Sequence, residues 1–142
     1  MGIYNYKNQY SILNKKTQGR MILFIKGRLK SFKYAFRGTY LLIKTEHSIM
    51  TQIFIFSLTI LAGLMVGISK QDWINQTLAM GLVLGIEGMN TAVEKLADFV
   101  HPDYHKKIGF IKDVSAGSSG IAAIISLIIA GIIYIPKIAL LF

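Results

Sequence analysis

Four polar side chains with the spacing of one helical face lie in an otherwise apolar part of the sequence. They are Glu87, Asn90, Glu94 and Asp98, separated by three, four and four residues. On a helix they form a stripe about 16 Å long, and Leu, Ala, Val and Met occupy the opposite face. A carboxylate exposed to hydrocarbon costs at least about 2.5 kcal/mol, so these acids must face protein, water or cations.

The acids of this stripe favour a cation-binding site over a purely structural contact between two helices. Asn90 would suit a hydrogen-bonded seam, but acids this close repel one another unless Lys, Arg or a divalent metal lies between them. Mg²⁺ commonly takes one or two carboxylates together with phosphate oxygens, and a lysine holds phosphate as a point charge. Further polar residues come after the stripe: Asp103, Tyr104, His105, Lys112 and Asp113. Metal-binding acids, a cation for phosphate and a carboxylate available as base together indicate phosphoryl transfer.

The composition places this stripe in a membrane protein. Hydrophobic residues make up 53% of the chain and charged residues 16%, whereas a soluble domain usually carries about 25% charged residues. Apolar segments at about residues 49–68, 74–98 and 118–136 are each long enough to cross the hydrocarbon core. The predicted fold class is therefore an all-α integral membrane protein with three transmembrane helices.

A basic segment precedes the first predicted span. We expect residues 1–19 to form a polar tail and residues 20–142 a single membrane domain. Within it, residues of about 20–46 alternate apolar and basic side chains in the pattern of an amphipathic helix that lies in the membrane interface. Residues 1–48 hold ten of the sixteen Lys and Arg. In so apolar a chain, this charge favours anionic lipid over nucleic acid as its partner.

The distribution of lysine predicts the orientation. With three spans, the basic N-terminal segment and residues 95–117 lie on the same side of the membrane. The opposite side receives one lysine in the turn near residue 70 and one near the C-terminus. By the positive-inside rule, the N-terminus and the polar site face the cytoplasm.

Two other classes of protein remain open at this point. An acidic stripe in a span can line an ion path, which would make the chain a small cation channel or transporter subunit. A non-catalytic assembly protein could use the basic segment alone, but that leaves Glu87 unexplained. The Tyr104-His105 and Lys112-Asp113 pairs favour a kinase over a pore, because a pore does not need a loop built for phosphate.

The segments 87-EGMNTAVEKLAD-98 and 103-DYHKKIGFIKDVSAG-117 resemble the signature of the prokaryotic diacylglycerol kinase family. That signature reads E-x-x-N-[ST]-[AS]-[IV]-E-x-x-x-D, then Y-H, then K-D, and the resemblance covers roughly residues 30–136. It implies a homotrimeric kinase of the bacterial inner membrane that uses ATP and Mg²⁺. The implied reaction phosphorylates the hydroxyl of a lipid, converting diacylglycerol to phosphatidic acid, with undecaprenol as the alternative acceptor.

The resemblance also implies roles for individual residues. Glu87 is the general base and Glu94 a metal ligand, while Asn90 supports the site and Asp98 orients the end of the helix. The nucleotide-binding residues are Asp103, Tyr104, His105, Lys112 and Asp113. Glu46 is the only acid among the first 71 residues. We interpret it as a second metal ligand, with a simple interface salt bridge to Lys44 or Arg37 as the other interpretation.

Overall fold

The computed structural model describes residues 3–139, with side chains from residue 17 onward. Over this range the chain forms four helices and no strand. The helices are α1 (Ile3–Thr45), α2 (His47–Val66), α3 (Lys70–Val100) and α4 (Lys106–Ala139). The chain divides into two compact units, Met1–Leu41 and Leu42–Phe142.

The helix bounds differ from the predicted ones in two places. Helix α1 begins at Ile3 and not near residue 20, because the segment before residue 20 contains no proline to stop a helix. Helix α4 joins residues 106–117 to the predicted third span in one helix and includes Pro136 near its end. Lys112 and Asp113 therefore lie on the same continuous helix as the apolar residues that follow them.

Two of the helices, α2 and α4, are long and apolar enough to cross a membrane by length and composition. Helix α3 has sufficient length, but its Asn, Gln and acidic side chains keep it outside that class. The all-helical prediction is confirmed over residues 3–139, and the spanning role of α3 stays a prediction.

The turn between α2 and α3 is fixed by local chemistry. Gly67 ends α2 with a φ of 68°, a left-handed conformation that suits glycine. Ser69 then caps α3, since its hydroxyl accepts the N–H of Asp72 at 3.1 Å while the Asp72 carboxylate accepts the N–H of Ser69 at 3.1 Å. This reciprocal cap satisfies two amides that helix geometry leaves unpaired, and such caps contribute about 1 kcal/mol.

In the second unit, α3 packs along α4, and α2 packs against α3. The buried apolar residues are few and mostly small or β-branched, among them Ala79, Val83 and Ala122. Many large apolar side chains point outward. This arrangement suits a chain surrounded by lipid, where close backbone approach holds helices together and acyl chains cover the rest.

Tyr134 joins the three helices of this unit near the capped turn. Its hydroxyl oxygen lies 2.7 Å from the carbonyl oxygen of Thr59 and 2.7 Å from the side-chain amide of Gln76. A hydroxyl has one proton, so we infer that Tyr134 donates to Thr59 and accepts from the Gln76 amide in its rotated orientation. Gln76 is buried, and this hydrogen bond pairs one of the two polar atoms of its amide group.

Gly63, the one glycine within α2, should not tolerate a larger side chain. A methyl group there would lie 2.9 Å from the Tyr134 hydroxyl and 3.0 Å from Cη2 of Trp73. We expect Gly63→Ala to destabilise the fold by about 1–3 kcal/mol, the usual cost of overpacking. The measurement is the unfolding temperature in detergent. Gly81→Ala is the matched control, because nothing lies within 4 Å of its added methyl; equal effects of both changes would contradict this packing.

Candidate active site

The polar stripe of α3 faces α4 at two positions. Near the middle of α3, Ser119 of α4 donates a hydrogen bond to the half-buried carboxylate of Glu87. Near its C-terminal end, the ammonium group of Lys112 lies 2.9 Å from the Asp98 carboxylate. Each contact supplies a donor from α4 to an acid of the stripe. The structure thus brings the predicted base and Asp98 to one helix pair.

Asn90 and Glu94 form the middle of the stripe. Asn90 is buried, and its amide nitrogen donates to the Glu94 carboxylate at 3.3 Å. Its amide oxygen is buried and has no hydrogen-bond partner among residues 17–139. A buried acceptor without a partner costs roughly 1–3 kcal/mol. The site therefore holds one oxygen that is available to accept a hydrogen bond or to ligate a hard cation.

A cavity of about 410 Å³ lies where α3 ends and α4 begins. It brings together all five predicted nucleotide-binding residues and Asp98. Its lining residues are Asp98, His101, Pro102, Asp103, Tyr104, His105, Ile108, Gly109, Lys112 and Asp113. Lys112 is the one cationic side chain in this lining apart from the histidines, so an anion entering the cavity meets a fixed positive charge among carboxylates.

His101 belongs to this cavity although the sequence interpretation gave it no role. Its Nδ1 lies 2.9 Å from the carbonyl oxygen of Asp103, and its ring centroid lies 5.2 Å from that of His105. A carbonyl oxygen only accepts, so Nδ1 of His101 carries the proton. His105 Nδ1 accepts the N–H of Lys107 at 3.3 Å. The signal that was available is the position of His101 directly before Pro102, which ends α3 and turns the chain back toward α4.

Glu46 occupies the junction between α1 and α2. Its backbone is extended, and its side chain makes no capping hydrogen bond to α2. The carboxylate instead accepts from Lys95 of α3 at 3.0 Å and from the Thr45 hydroxyl at 2.8 Å. These hydrogen bonds, led by the one from Lys95, lower the pKa of Glu46 below its ordinary value. The structure thus pairs Glu46 with a lysine on the turn of α3 that also carries Glu94.

The acidic side chains of the site offer few ligands for a metal ion. Residues 17–139 contain no group of three or more His, Asp or Glu side chains arranged to hold an ion. A cation delivered with a nucleotide needs fewer protein ligands, since Mg²⁺ takes one or two carboxylates and completes its shell with phosphate oxygens and water. Glu94 and the unpartnered amide oxygen of Asn90 are oxygen donors of the kind that Mg²⁺ selects.

Fold and site together define a small all-helical membrane protein in which acids, a lysine and a polar cavity converge at one end of a helix pair. The model of the prokaryotic diacylglycerol kinase family matches residues 33–134. The undecaprenol kinase of Bacillus subtilis (strain 168) is 31% identical over 108 residues, which are 76% of this chain and 88% of that protein. A diacylglycerol kinase of Synechocystis sp. is 29% identical over 109 residues, 76% of this chain and 62% of that protein. The chain belongs to the prokaryotic diacylglycerol kinase family.

Membership in this family confirms the resemblance carried by the signature and makes the chain a lipid kinase with ATP as phosphate donor. It favours the kinase over the channel and assembly interpretations. The family match begins at residue 33, so most of α1 precedes the matched region.

The pairing of Lys95 with Glu46 predicts a pH effect of defined sign. Because the pKa of Glu46 is lower in the folded chain than its ordinary value of about 4.5, the ionised carboxylate stabilises the fold above about pH 4.5. That contribution is lost as the pH falls through the folded pKa. Lys95→Gln should therefore raise the pKa of Glu46, measured by ¹³C NMR titration in micelles.

The control for this titration is Lys70→Gln, which removes a lysine at the opposite end of α3 and should leave the midpoint of Glu46 unchanged. The unfolding temperatures of the parent and Lys95→Gln should differ at pH 7 and converge at acidic pH, once Glu46 is protonated in both. An unchanged Glu46 midpoint in Lys95→Gln would show that the ion pair does not form in solution.

Proposed function

We propose that this chain transfers the γ-phosphoryl group of ATP to the hydroxyl group of undecaprenol, and that Glu87 is the general base. The observation that carries the proposal is the half-buried Glu87 carboxylate, held by Ser119 within the apolar part of the α3–α4 pair. A lipid hydroxyl lies just beneath the headgroups, and a base for it must lie inside the membrane boundary. Glu87 is the acid of the stripe farthest from the polar end of α3.

The chemistry assigned to Glu87 is a single proton transfer. Its carboxylate takes the proton of the lipid hydroxyl as the hydroxyl oxygen forms a bond to the γ-phosphorus and the bond to ADP breaks. The Ser119 hydroxyl donates to one carboxylate oxygen, which fixes the carboxylate and leaves the other oxygen for the substrate. A base positioned in this way contributes about 10²–10⁴-fold to the rate.

The cavity at the end of α3 suits the nucleotide. Lys112 supplies a charge for phosphate, and His105 with Tyr104 supplies ring surface and hydrogen-bonding groups at its edge. Tyr104 is 90% exposed, which leaves its ring available to a ligand. Asp103 and Asp113 line the same cavity, where they can accept hydrogen bonds from ribose or base. His101 would contribute indirectly, because its hydrogen bond to the Asp103 carbonyl oxygen fixes the loop that carries Asp103.

Glu94 and Asn90 would hold Mg²⁺ that arrives with the nucleotide, and Glu46 would join them if Lys95 releases it. The bound ion would neutralise charge that develops on the phosphate oxygens during transfer. The contribution of this chain's own residues is to fix the oxygen donors: Asn90 holds the Glu94 carboxylate at 3.3 Å, and packing of the buried Asn90 holds both in place.

Undecaprenol is preferred as acceptor over the diacylglycerol predicted from the sequence. The undecaprenol kinase of Bacillus subtilis aligns with this chain over 88% of its own length, and the diacylglycerol kinase of Synechocystis over 62% of its own. The two relatives differ little in identity, so diacylglycerol remains the alternative. Both acceptors offer a primary hydroxyl on a long apolar body, and the same base and cavity would serve either one.

We further propose a homotrimer in the bacterial inner membrane, with α3 as the third span and with the N-terminus and the cavity on the cytoplasmic side. The half-exposed Glu94 supports self-association, because a lone protomer would leave part of this carboxylate against lipid. The orientation is supported by the excess of lysine and arginine in residues 1–48 and 95–112.

The acceptor is tested by comparing the two lipids in separate assays. The purified protein in micelles is supplied with radiolabelled ATP, Mg²⁺ and either undecaprenol or diacylglycerol. We expect kcat/KM for undecaprenol to be higher by at least about tenfold, a difference of about 1.4 kcal/mol in transition-state binding. A preference for diacylglycerol would overturn the acceptor and leave the kinase in place. Failure to label either lipid would overturn the proposed function itself.

The roles of the two glutamates are separable. Glu87→Gln keeps the shape of the side chain and removes the base, so kcat should fall by about 10²–10⁴-fold while the KM for nucleotide stays near that of the parent. Glu94→Gln should instead raise the Mg²⁺ concentration that gives half-maximal activity. Wild-type turnover in Glu87→Gln, or an unchanged Mg²⁺ titration in Glu94→Gln, would remove the respective role.

A further inference from the structure

Four cations of α1 share one face of the helix. Lys26, Lys30, Lys33 and Arg37 succeed one another at intervals of four, three and four residues. At about 100° per residue they fall within a sector roughly 60° wide. We call these four residues the basic stripe. Regular spacing along the helix places four positive charges in a row of about 16 Å.

A second stripe runs directly beside the first. Ile25, Leu29, Phe32 and Phe36 also fall within about 60°, and the centre of this apolar stripe lies about 100° around the helix from the centre of the basic stripe. All four side chains are exposed; Phe36, for example, is 73% exposed. The two stripes are therefore neighbours, whereas in a helix that covers a soluble core the charges would lie opposite the apolar face.

The basic stripe has no acidic side chain in its own unit. No aspartate or glutamate occurs before Glu46, which lies outside Met1–Leu41. Lys30 contacts an aromatic face, with its ammonium 5.9 Å from the ring centroid of Tyr34. Four adjacent cations with no acid in their own unit repel one another, so anions brought from outside this unit would stabilise the stripe.

The apolar stripe decides which anion fits. Nucleic acid would neutralise the cations but would leave a row of aliphatic and aromatic side chains exposed to water. An anionic phospholipid surface satisfies both stripes, because acyl chains take up the apolar side chains while lysine and arginine reach sideways to the phosphates above them. Adjacent stripes put the charges at the depth of the headgroups when the helix lies in the plane of the membrane.

We propose that the basic stripe of α1 binds the headgroups of anionic phospholipids, so that the surface charge of the membrane determines how firmly α1 is seated. Two of its members, Lys26 and Lys30, precede the region matched by the family model, and the other two, Lys33 and Arg37, lie at its start, so half of this surface is outside what family membership covers. It acts through lipid headgroups and is separate from the transfer of phosphate at Glu87.

A single label measures the seating of α1 in the full-length chain. The protein contains no cysteine, so Leu29→Cys gives one attachment site for a spin label on the apolar stripe. The labelled protein is reconstituted into vesicles of neutral phosphatidylcholine alone or mixed with anionic phosphatidylglycerol. Collision with oxygen or with a water-soluble nickel complex then reports whether the label is immersed or released.

We expect the label to be more immersed in the anionic vesicles and to be released in about 1 M salt, where the Debye length falls to about 3 Å. Lys30→Gln combined with Lys33→Gln should lower the ratio of immersed to released label in anionic vesicles by on the order of 25-fold, about fivefold for each lysine. In neutral vesicles the same variant and the parent should give nearly equal ratios of immersed to released label, because there is no anionic surface for the lysines to bind.

A variant with the same net charge tests whether the arrangement of the cations matters, and not only their number. Exchanging Lys30 with Ser31 and Lys33 with Tyr34, as K30S/S31K/K33Y/Y34K, keeps the composition and moves two cations by about 100° around the helix. It should lose the preference for anionic vesicles as the neutralised variant does. If it behaves as the parent, or if the parent label is equally immersed in both vesicle types, the stripe does not bind anionic lipid. Kinase activity is not a readout here, so failure of this proposal leaves the proposed function untouched.

Discussion

A carboxylate on an apolar helix is stable only where a neighbouring group donates a proton to it or carries positive charge, and α3 bears three such carboxylates between Glu87 and Asp98. This requirement governs the packing of the second unit. Ser119 and Lys112 of α4 meet the two ends of the stripe, and Asn90 meets Glu94 from within α3. A rotation of α4 by one residue would separate both cross-helix donors from their acids, so the acids fix the register in which α4 packs.

The other end of α3 is held by groups that do not change charge near neutral pH. The Ser69 cap, Gly67 and the hydrogen bonds of Tyr134 hold the helices together there with neutral hydroxyl, amide and carbonyl groups, and Asp72 is the one acid in the cap. The two ends therefore differ in kind. One is tightly paired and sterically closed at Gly63, whereas the end near His101 opens into a cavity. If the cavity binds the nucleotide as proposed, a distant anchor of this type would let the open end adjust without separating the helices.

Periodicity within one element was enough to predict the stripe on α3, because residues spaced by three and four positions share a face on any helix. The order of polar residues along the chain likewise predicted that Lys112 converges with Asp103 and His105. Contacts between elements depend on helix rotation and on where each helix begins, which periodicity does not set. For that reason the pairing of Glu46 with Lys95 and the place of His101 in the cavity are visible only in the folded chain. The start of α1 at Ile3 was missed because polar composition was taken for the absence of a helix.

The two lysines near the site are already engaged before any nucleotide arrives. Lys95 holds Glu46 and Lys112 holds Asp98, so under the proposed function nucleotide binding would exchange partners and not merely add contacts. Ion pairs between exposed side chains are weak because water and salt screen them, whereas charge-assisted hydrogen bonds to phosphate are among the stronger ones in proteins. In the proposed reaction, Lys112 would therefore exchange Asp98 for a phosphate group, and the released carboxylate would lie near the cation that accompanies the nucleotide. Until such partners enter, the two ion pairs hold the acids in place.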